Sequence, residues 1–297
     1  MSVFFMKIVA CFAMLLDHTG AVLGWTGWNI LPGNTTELFR GIGRIAFPVF
    51  AFLLVNGWRK TRNRDQYLSR LLLFACISQV PFTLALYTTN LMPMDAAAPM
   101  ITFNYRGFPE GLIAALVLAA CFWWSQRKKQ ARTMLWLLLT LFIMPLDIQI
   151  DGIRILGDAL NVFYTLSLGL IIMSGLESIL SKRDQPWYRI LINIASLTLG
   201  TLLIATKSDY GVPGVILIAA LYFGKKRRAY QAAVVCVWGL VLYGFILTNA
   251  LNALCTCLAA ILILAYNGQK GIDIKYPFYW FYPLHLLALG IVNIVLR

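Results

Sequence analysis

Long apolar runs separated by short polar connections recur from one end of the chain to the other. They fall at about 4–24, 41–58, 71–89, 109–125, 133–146, 155–180, 190–206, 211–224, 230–248, 250–266 and 277–296. A helix needs roughly 20 apolar residues to cross the hydrocarbon core, and shorter ones fit when tilted or enclosed by neighbours. The pattern predicts an all-α, polytopic integral membrane helix bundle with about 10–11 transmembrane helices. No polar stretch is long enough to fold as a water-soluble unit, so residues 1–297 read as a single transmembrane domain. The first run lacks the charged start, short apolar centre and small-residue cleavage pattern of a signal peptide, and reads as a helix of the mature protein. The stretch LTNALN at 247–252 leaves two readings open, a turn between helices or one long re-entrant segment.

The connections alternate in charge. WRKTRNRD (58–65), QRKKQAR (126–132), SKRDQPWYR (181–189), GKKRR (224–228) and NGQKGIDIK (267–275) are rich in Lys and Arg, whereas 25–40, 90–106, 147–154 and 207–210 are poor in them. By the positive-inside rule the first set faces the cytoplasm together with the N-terminus, and an odd number of helices leaves Arg297 outside.

Composition agrees. Only 12% of residues are charged, against about a quarter in a soluble domain, and mean hydropathy is +0.75. The net charge of +13 sits in short clusters between apolar runs, which is how topology signals are distributed and argues against a nucleic-acid partner. The six cysteines, Cys11, Cys76, Cys121, Cys236, Cys255 and Cys257, all lie in apolar segments. There they read as small hydrophobes, with no disulfide framework.

Polar groups inside the apolar runs therefore stand out. KIVACFAMLLDHTGAVL (7–23) carries Asp17 and His18 near its middle, and an Asp at a helix centre costs roughly 2.5–3.5 kcal/mol to insert. The chain has two histidines, His18 and His285, and both fall within membrane segments. Lys7 and His18 are almost three helical turns and about 16 Å apart, on one stripe of one helix. A Lys at the cytoplasmic mouth suits phosphate and a deeper imidazole suits proton transfer, although Lys7 also suits an interfacial lysine that merely snorkels. Adjacent helical residues point about 100° apart, so Asp17 does not orient His18. Its natural partner is Arg44 on the next segment, a pairing that relieves charge burial for both.

His285 follows Pro283, whose local loosening lets a side chain face a cavity. The run Tyr276, Phe278, Tyr279, Trp280, Phe281 and Tyr282 reads largely as an interfacial belt. Asn161 and Tyr164 put polar groups on one helix face at i and i+3, where Asn161 equally suits a plain interhelical hydrogen bond. Asp209 and Tyr210 fall at an external turn beside glycines that allow close backbone approach. There is no P-loop, dinucleotide fingerprint, H-E-x-x-H or G-x-S-x-G, and two histidines without cysteine pairs at ligand spacing argue against a metal site. A general base acting on an electrophile brought in by a bound donor remains open.

Several stretches together resemble the TraX family, membrane proteins associated with N-terminal acetylation of conjugative pilin. They are K-x-x-A-x-x-x-M-x-x-DH from Lys7 to His18, GRIAFPVFAF (43–52), RLLLFACISQVPF (70–82), NVFYTLSLGL (161–170), DYGVPG (209–214) and FYPLHL (281–286). The resemblance spans nearly the whole chain, with little from 90–150. TraX proteins in turn look like a broader group of transmembrane acyltransferases. That group includes the sugar O-acyltransferases of bacterial envelopes, whose first helix carries a basic residue, ten intervening positions and a His, and the lysosomal heparan glucosaminide acetyltransferase. Lys7 and His18 have that spacing.

The resemblance implies a multi-pass acyltransferase of the bacterial inner (cytoplasmic) membrane. Acetyl-CoA would be the acyl donor from the cytoplasm, and the acceptor a protein or glycan amine or hydroxyl at the outer face. His18 becomes the base or transient acyl carrier, with Asp17 and Arg44 supporting it. Lys7, Arg59 and Lys60 become contacts for the CoA phosphates. His285, Asn161 or Tyr164 would donate to the oxyanion, and Asp209, Tyr210 and Tyr282 would complete the substrate site. The large soluble or loop domains of the related enzymes are missing, which leaves the acceptor open. Two other readings share the same residues: a proton-coupled transporter, and a non-catalytic factor of pilus or envelope assembly.

Overall fold

Helix α1, Val3–Gly20, starts at Ser2, whose hydroxyl accepts from the Phe5 amide and satisfies one of the donors a helix start leaves open. It runs on as a π-helical turn, Ala21–Trp25. The computed structural model describes residues 1–25, 28–88, 100–103, 146–150, 153–157, 159–181, 190–191, 194, 197–198, 200–201, 204–224 and 227–296. Helices α2 (Gly33–Gly43) and α3 (Ala46–Lys60) form one crossing broken at Arg44 and Ile45. Helix α4, Arg64–Leu86, is capped by the Asn63 side chain and contains Pro81. Three short strands, β1 (Met100–Phe103), β2 (Leu146–Ile150) and β3 (Ile153–Leu156), make a small antiparallel sheet in that order. Helices α5 (Val162–Ser181), α6 (Gly211–Phe223), α7 (Arg228–Gly239), α8 (Ala250–Leu264) and α9 (Tyr276–Val295) follow, α7 being prolonged by a π-helical stretch, Leu240–Ile246.

The protein is an all-α membrane helix bundle. Among the described residues five helices are long and apolar enough to cross a membrane: Val3–Trp25, Gly33–Lys60, Arg64–Leu86, Arg228–Ile246 and Tyr276–Val295. Shorter apolar helices cover Val162–Glu177, Gly211–Phe223 and Ala250–Leu264. The run expected at 109–125, the run at 133–146 up to 145, the basic connection 126–132 and all but the first residue of 181–189 lie outside the described residues. Two boundaries differ from expectation. Half of the connection expected at 25–40 is helix α2, and the run at 155–180 opens with the end of β3 before its helix starts at Val162. At LTNALN the chain turns, with Thr248 at φ 49° and the Asn249 side chain accepting from the Asn252 amide to start α8. Two helices therefore flank that stretch.

Small residues and buried amides join the helices, as expected where apolar burial alone cannot separate protein from lipid. A Cβ built on Gly20 would sit 2.9 Å from that of Phe39, and one on Gly290 would sit 3.0 Å from that of Leu84. The glycines thus let α1 approach α2 and α9 approach α4. Asn293, 1% exposed, donates to the Leu84, Ala85 and Thr88 carbonyls at the end of α4 and accepts from Trp28 Nε1. It thereby satisfies carbonyls that a helix end leaves without partners.

Contacts at one end of the bundle gather its basic connections. The Val3 and Phe4 amides donate to the Gln269 and Lys270 carbonyls, tying the start of α1 to the segment after α8. Arg59 at the end of α3 donates to the Leu221 and Tyr222 carbonyls at the end of α6. Arg64 at the start of α4 pairs with Glu177 near the end of α5 at 2.7 Å. The starts of α1 and α4 and the ends of α3, α5, α6 and α8 thus share one basic face.

Candidate active site

A cavity of about 630 Å³ opens on that basic face and runs inward between α1, α3, α4, α5 and α9. Its size is that of a typical small-molecule site. The rim carries Lys7, Lys60, Arg62, Arg70, Lys270 and Lys275. Apolar side chains such as Met14, Phe50, Leu53, Leu54 and Leu71 line the passage, and Asp17, His18, Asp209, Tyr210 and Tyr282 surround its inner end. Helix α1 links the two ends, because the eleven-residue step from Lys7 to His18 falls inside one unbroken helix.

At the inner end two arginines hold Asp17. Asp17 Oδ1 accepts from Arg44 Nη2 and forms an ion pair with Arg40 Nη1, both at 2.9 Å, and Arg40 Nη1 also donates to the Asp17 carbonyl at 3.5 Å. The expected Asp17–Arg44 pair is thus present, with Arg40 as an unforeseen second cation. The two arginines are four residues apart across the end of α2, so both reach the carboxylate on α1. Arg44 also donates through Nε to the Arg40 carbonyl (3.2 Å) and through Nη1 to the Tyr243 hydroxyl (3.4 Å). Gly43 permits this packing, since a Cβ there would lie 2.2 Å from that of Asp17.

His18 meets His285. His18 Nδ1 and His285 Nε2 are 2.7 Å apart, with the rings nearly parallel (7°) and their centroids 5.0 Å apart. His285 Nδ1 lies 2.7 Å from the Phe281 carbonyl, one turn back on α9. Both nitrogens of His285 are therefore engaged, so it is not placed as the oxyanion donor expected from the sequence. Tyr282 stands edge-on to both imidazoles, at 5.9 and 5.7 Å. Its hydroxyl is buried beside the Val162 backbone without a hydrogen bond of ordinary geometry.

The turn at Asp209 and Tyr210 leaves Asp209 exposed, as expected of an external turn, while Tyr210 packs partly inward and both residues line the cavity. The Asp209 amide donates to the Leu160 carbonyl (2.8 Å), Gly211 takes φ +55°, and Tyr210 stacks on Phe47 at 3.8 Å. Asp209 thereby lies within electrostatic reach of Arg40, Arg44 and Asp17. Three other expected residues are occupied elsewhere. Asn161 donates to the Ala75 carbonyl and Gln79 Oε1, holding α5 against α4. Tyr164 is buried with its hydroxyl 3.6 Å from Cys76 Sγ, and Arg59 closes the end of α6. Lys7 and Lys60 do line the cavity, Lys7 with its ammonium 4.9 Å above the Phe278 ring. The sequence reading missed Arg40, Arg62, Arg70, Lys270 and Lys275. The signal available was the i, i+4 pair Arg40/Arg44 and the basic connections themselves.

The TraX protein family profile matches residues 2–157 and 107–293, which together span nearly all of the chain. The chain belongs to the TraX family. The probable fimbrial assembly protein FimC, serogroup H1, of Dichelobacter nodosus is 27% identical over 304 aligned residues. That alignment covers 97% of this chain and 94% of the relative. No solved structure matches.

Proposed function

We propose that this TraX protein is a membrane acyltransferase that takes an acyl-CoA, most simply acetyl-CoA, from the cytoplasm. The observation that carries the reading is the single cavity joining a rim of six cations to His18. A CoA thioester has a polyanionic end, a long narrow arm and a reactive carbonyl, in that order. The rim suits the phosphates, the apolar passage suits the arm, and about 16 Å of α1 separates Lys7 from the imidazole. By the positive-inside rule the basic face is cytoplasmic, which puts the N-terminus inside. His18 acts as general base on the acceptor amine or hydroxyl. Asp17, Arg40 and Arg44 hold α1 and α2 in register, and Tyr282, Asp209 and Tyr210 bound the space where acceptor and thioester meet. The fimbrial assembly relative makes a surface-fibre subunit the first acceptor to try.

The test is release of CoA from acetyl-CoA by the protein in lipid nanodiscs, with and without an amine acceptor or envelope extract. His18-dependent release that rises with acceptor supports the reading, and release unaffected by a folded His18→Asn variant overturns it. A second reading, a non-catalytic assembly factor, is favoured by the relative's name alone. It predicts that His18→Asn leaves fibre assembly intact.

A further inference from the structure

We infer that His285 sets the working tautomer of His18 and holds the proton that His18 collects. The pairing rests on geometry, and its chemical use rests on the acyl-transfer reading above. A carbonyl oxygen only accepts, so the contact to Phe281 puts a proton on His285 Nδ1. In the uncharged ring Nε2 is then an acceptor, and the 2.7 Å contact makes His18 Nδ1 its donor. His18 Nε2 is left as the unprotonated nitrogen, on a ring that lines the cavity. Two imidazoles in series thus run from the cavity to a backbone carbonyl of α9, each as its Nδ1–H form.

Surrounding groups hold this arrangement and no other. Phe281 stacks on His285 at 4.7 Å and Tyr282 stands edge-on to both rings, so neither imidazole turns freely. Asp17 does not compete for His18, because its carboxylate is taken by Arg40 and Arg44. Those guanidiniums lie on the Asp17 side of His18. A positive charge formed on the pair is better placed one ring further away, on His285 against the Phe281 carbonyl.

The transfer balances without any further reagent. The acceptor nitrogen or oxygen bonds to the thioester carbonyl carbon and loses its proton to His18 Nε2, while the Nδ1 proton of His18 crosses to His285 Nε2. The carbon–sulfur bond breaks, His285 returns its proton to His18 Nδ1, and His18 Nε2 delivers the other to the CoA thiolate. Acylated acceptor and free CoA leave, and both rings regain their starting forms. His285 acts through His18 throughout and is a positioning residue.

Because the chain has two histidines, nitrogen-15 labelling of histidine in the full-length protein in nanodiscs gives a spectrum of four ring nitrogens. The expected spectrum shows both residues as Nδ1–H tautomers, the minority form of free histidine. His285→Gln puts an amide oxygen near the position of Nε2; it should keep the His18 tautomer and lower kcat about tenfold with KM for acetyl-CoA unchanged. His285→Phe removes the acceptor; His18 should revert to the Nε2–H form and kcat should fall about 100-fold or more, the range of lost general-base catalysis. An Nε2–H tautomer at His18 in the wild type, or a His285→Phe protein with unchanged tautomer and kcat, overturns the proposal. The spectrum needs no turnover. Wild type with both Nδ1–H tautomers and no CoA release would uphold the pairing while refuting acyl transfer.

Discussion

At the mouth of the cavity Lys60, Arg62, Lys270 and Lys275 are exposed side chains on helix ends and connections, and Lys270 meets Asp273 with both side chains more than half exposed. At the inner end, some three helical turns away, Asp17 is 7% exposed and His18 5%, and each has named partners at hydrogen-bond distance. The two ends treat charge in opposite ways. Water screens the rim, so its cations act as a sum in which one replaces another. Protein encloses Asp17 and His18, so removing one group strands its partner, and the cost is that of an unpaired buried charge.

The sharpest way to break this contrast is Asp17→Asn. The side chain keeps its shape but leaves Arg40 and Arg44 facing one another with no bonded counter-charge, Asp209 being the carboxylate left within electrostatic reach. We expect a loss of about 3–5 kcal/mol of stability, measured as a fall in Tm of the protein in nanodiscs. Adding Arg40→Gln should recover part of that loss, because the pair is coupled and not additive. A Tm within a degree of wild type would mean that the inner cluster is hydrated like the rim. Gly43→Ala tests the same cluster through backbone packing. Its methyl would overlap Asp17 at 2.2 Å from Cβ and 2.5 Å from Oδ1, so α1 and α2 must separate. Overpacking of this kind costs about 1–3 kcal/mol. It should also lower turnover more than it changes KM, since it shifts His18 and leaves the rim in place.

Much of the site was legible in the sequence because it depends on local regularity. Lys7 and His18 share a stripe once α1 is known to be a continuous helix, and Arg44 reaches Asp17 because consecutive crossings tend to be neighbours. The bundle was legible for the same reason, from the length of the apolar runs. The His18–His285 contact was not, since it joins the first and last helices across 267 residues and nothing in either segment encodes the other. The turn at Asp209 was legible as an exposed turn, but its place beside the cavity was not. What sets it there is the pairing of Leu160 with the Lys207–Asp209 backbone, a tertiary contact. Asn161 stands just before α5 rather than on its face, and both it and Tyr164 meet α4, at Ala75, Cys76 and Gln79, away from the cavity.

The rim supplies the smallest effects and the most informative signs. Lys60→Gln or Lys270→Gln alone should raise KM for acetyl-CoA about three- to fivefold in low salt, and both together by roughly the product, because distant solvated charges add. Asp273→Asn should act in the opposite direction. The hydrogen-bonded Lys270 ammonium holds the Asp273 carboxyl below the usual carboxylate range. At neutral and mildly acidic pH it therefore stays ionised and cancels part of the rim's charge, and this cancellation is lost only as pH falls through that lowered value. The asparagine variant has already lost it, so its KM at neutral pH should drop by less than about threefold and return to the wild-type value in high salt. A rise in KM on Asp273→Asn would show that the carboxylate orders the mouth rather than opposing it, and the rim would then have to be regarded as a fixed network like the inner end.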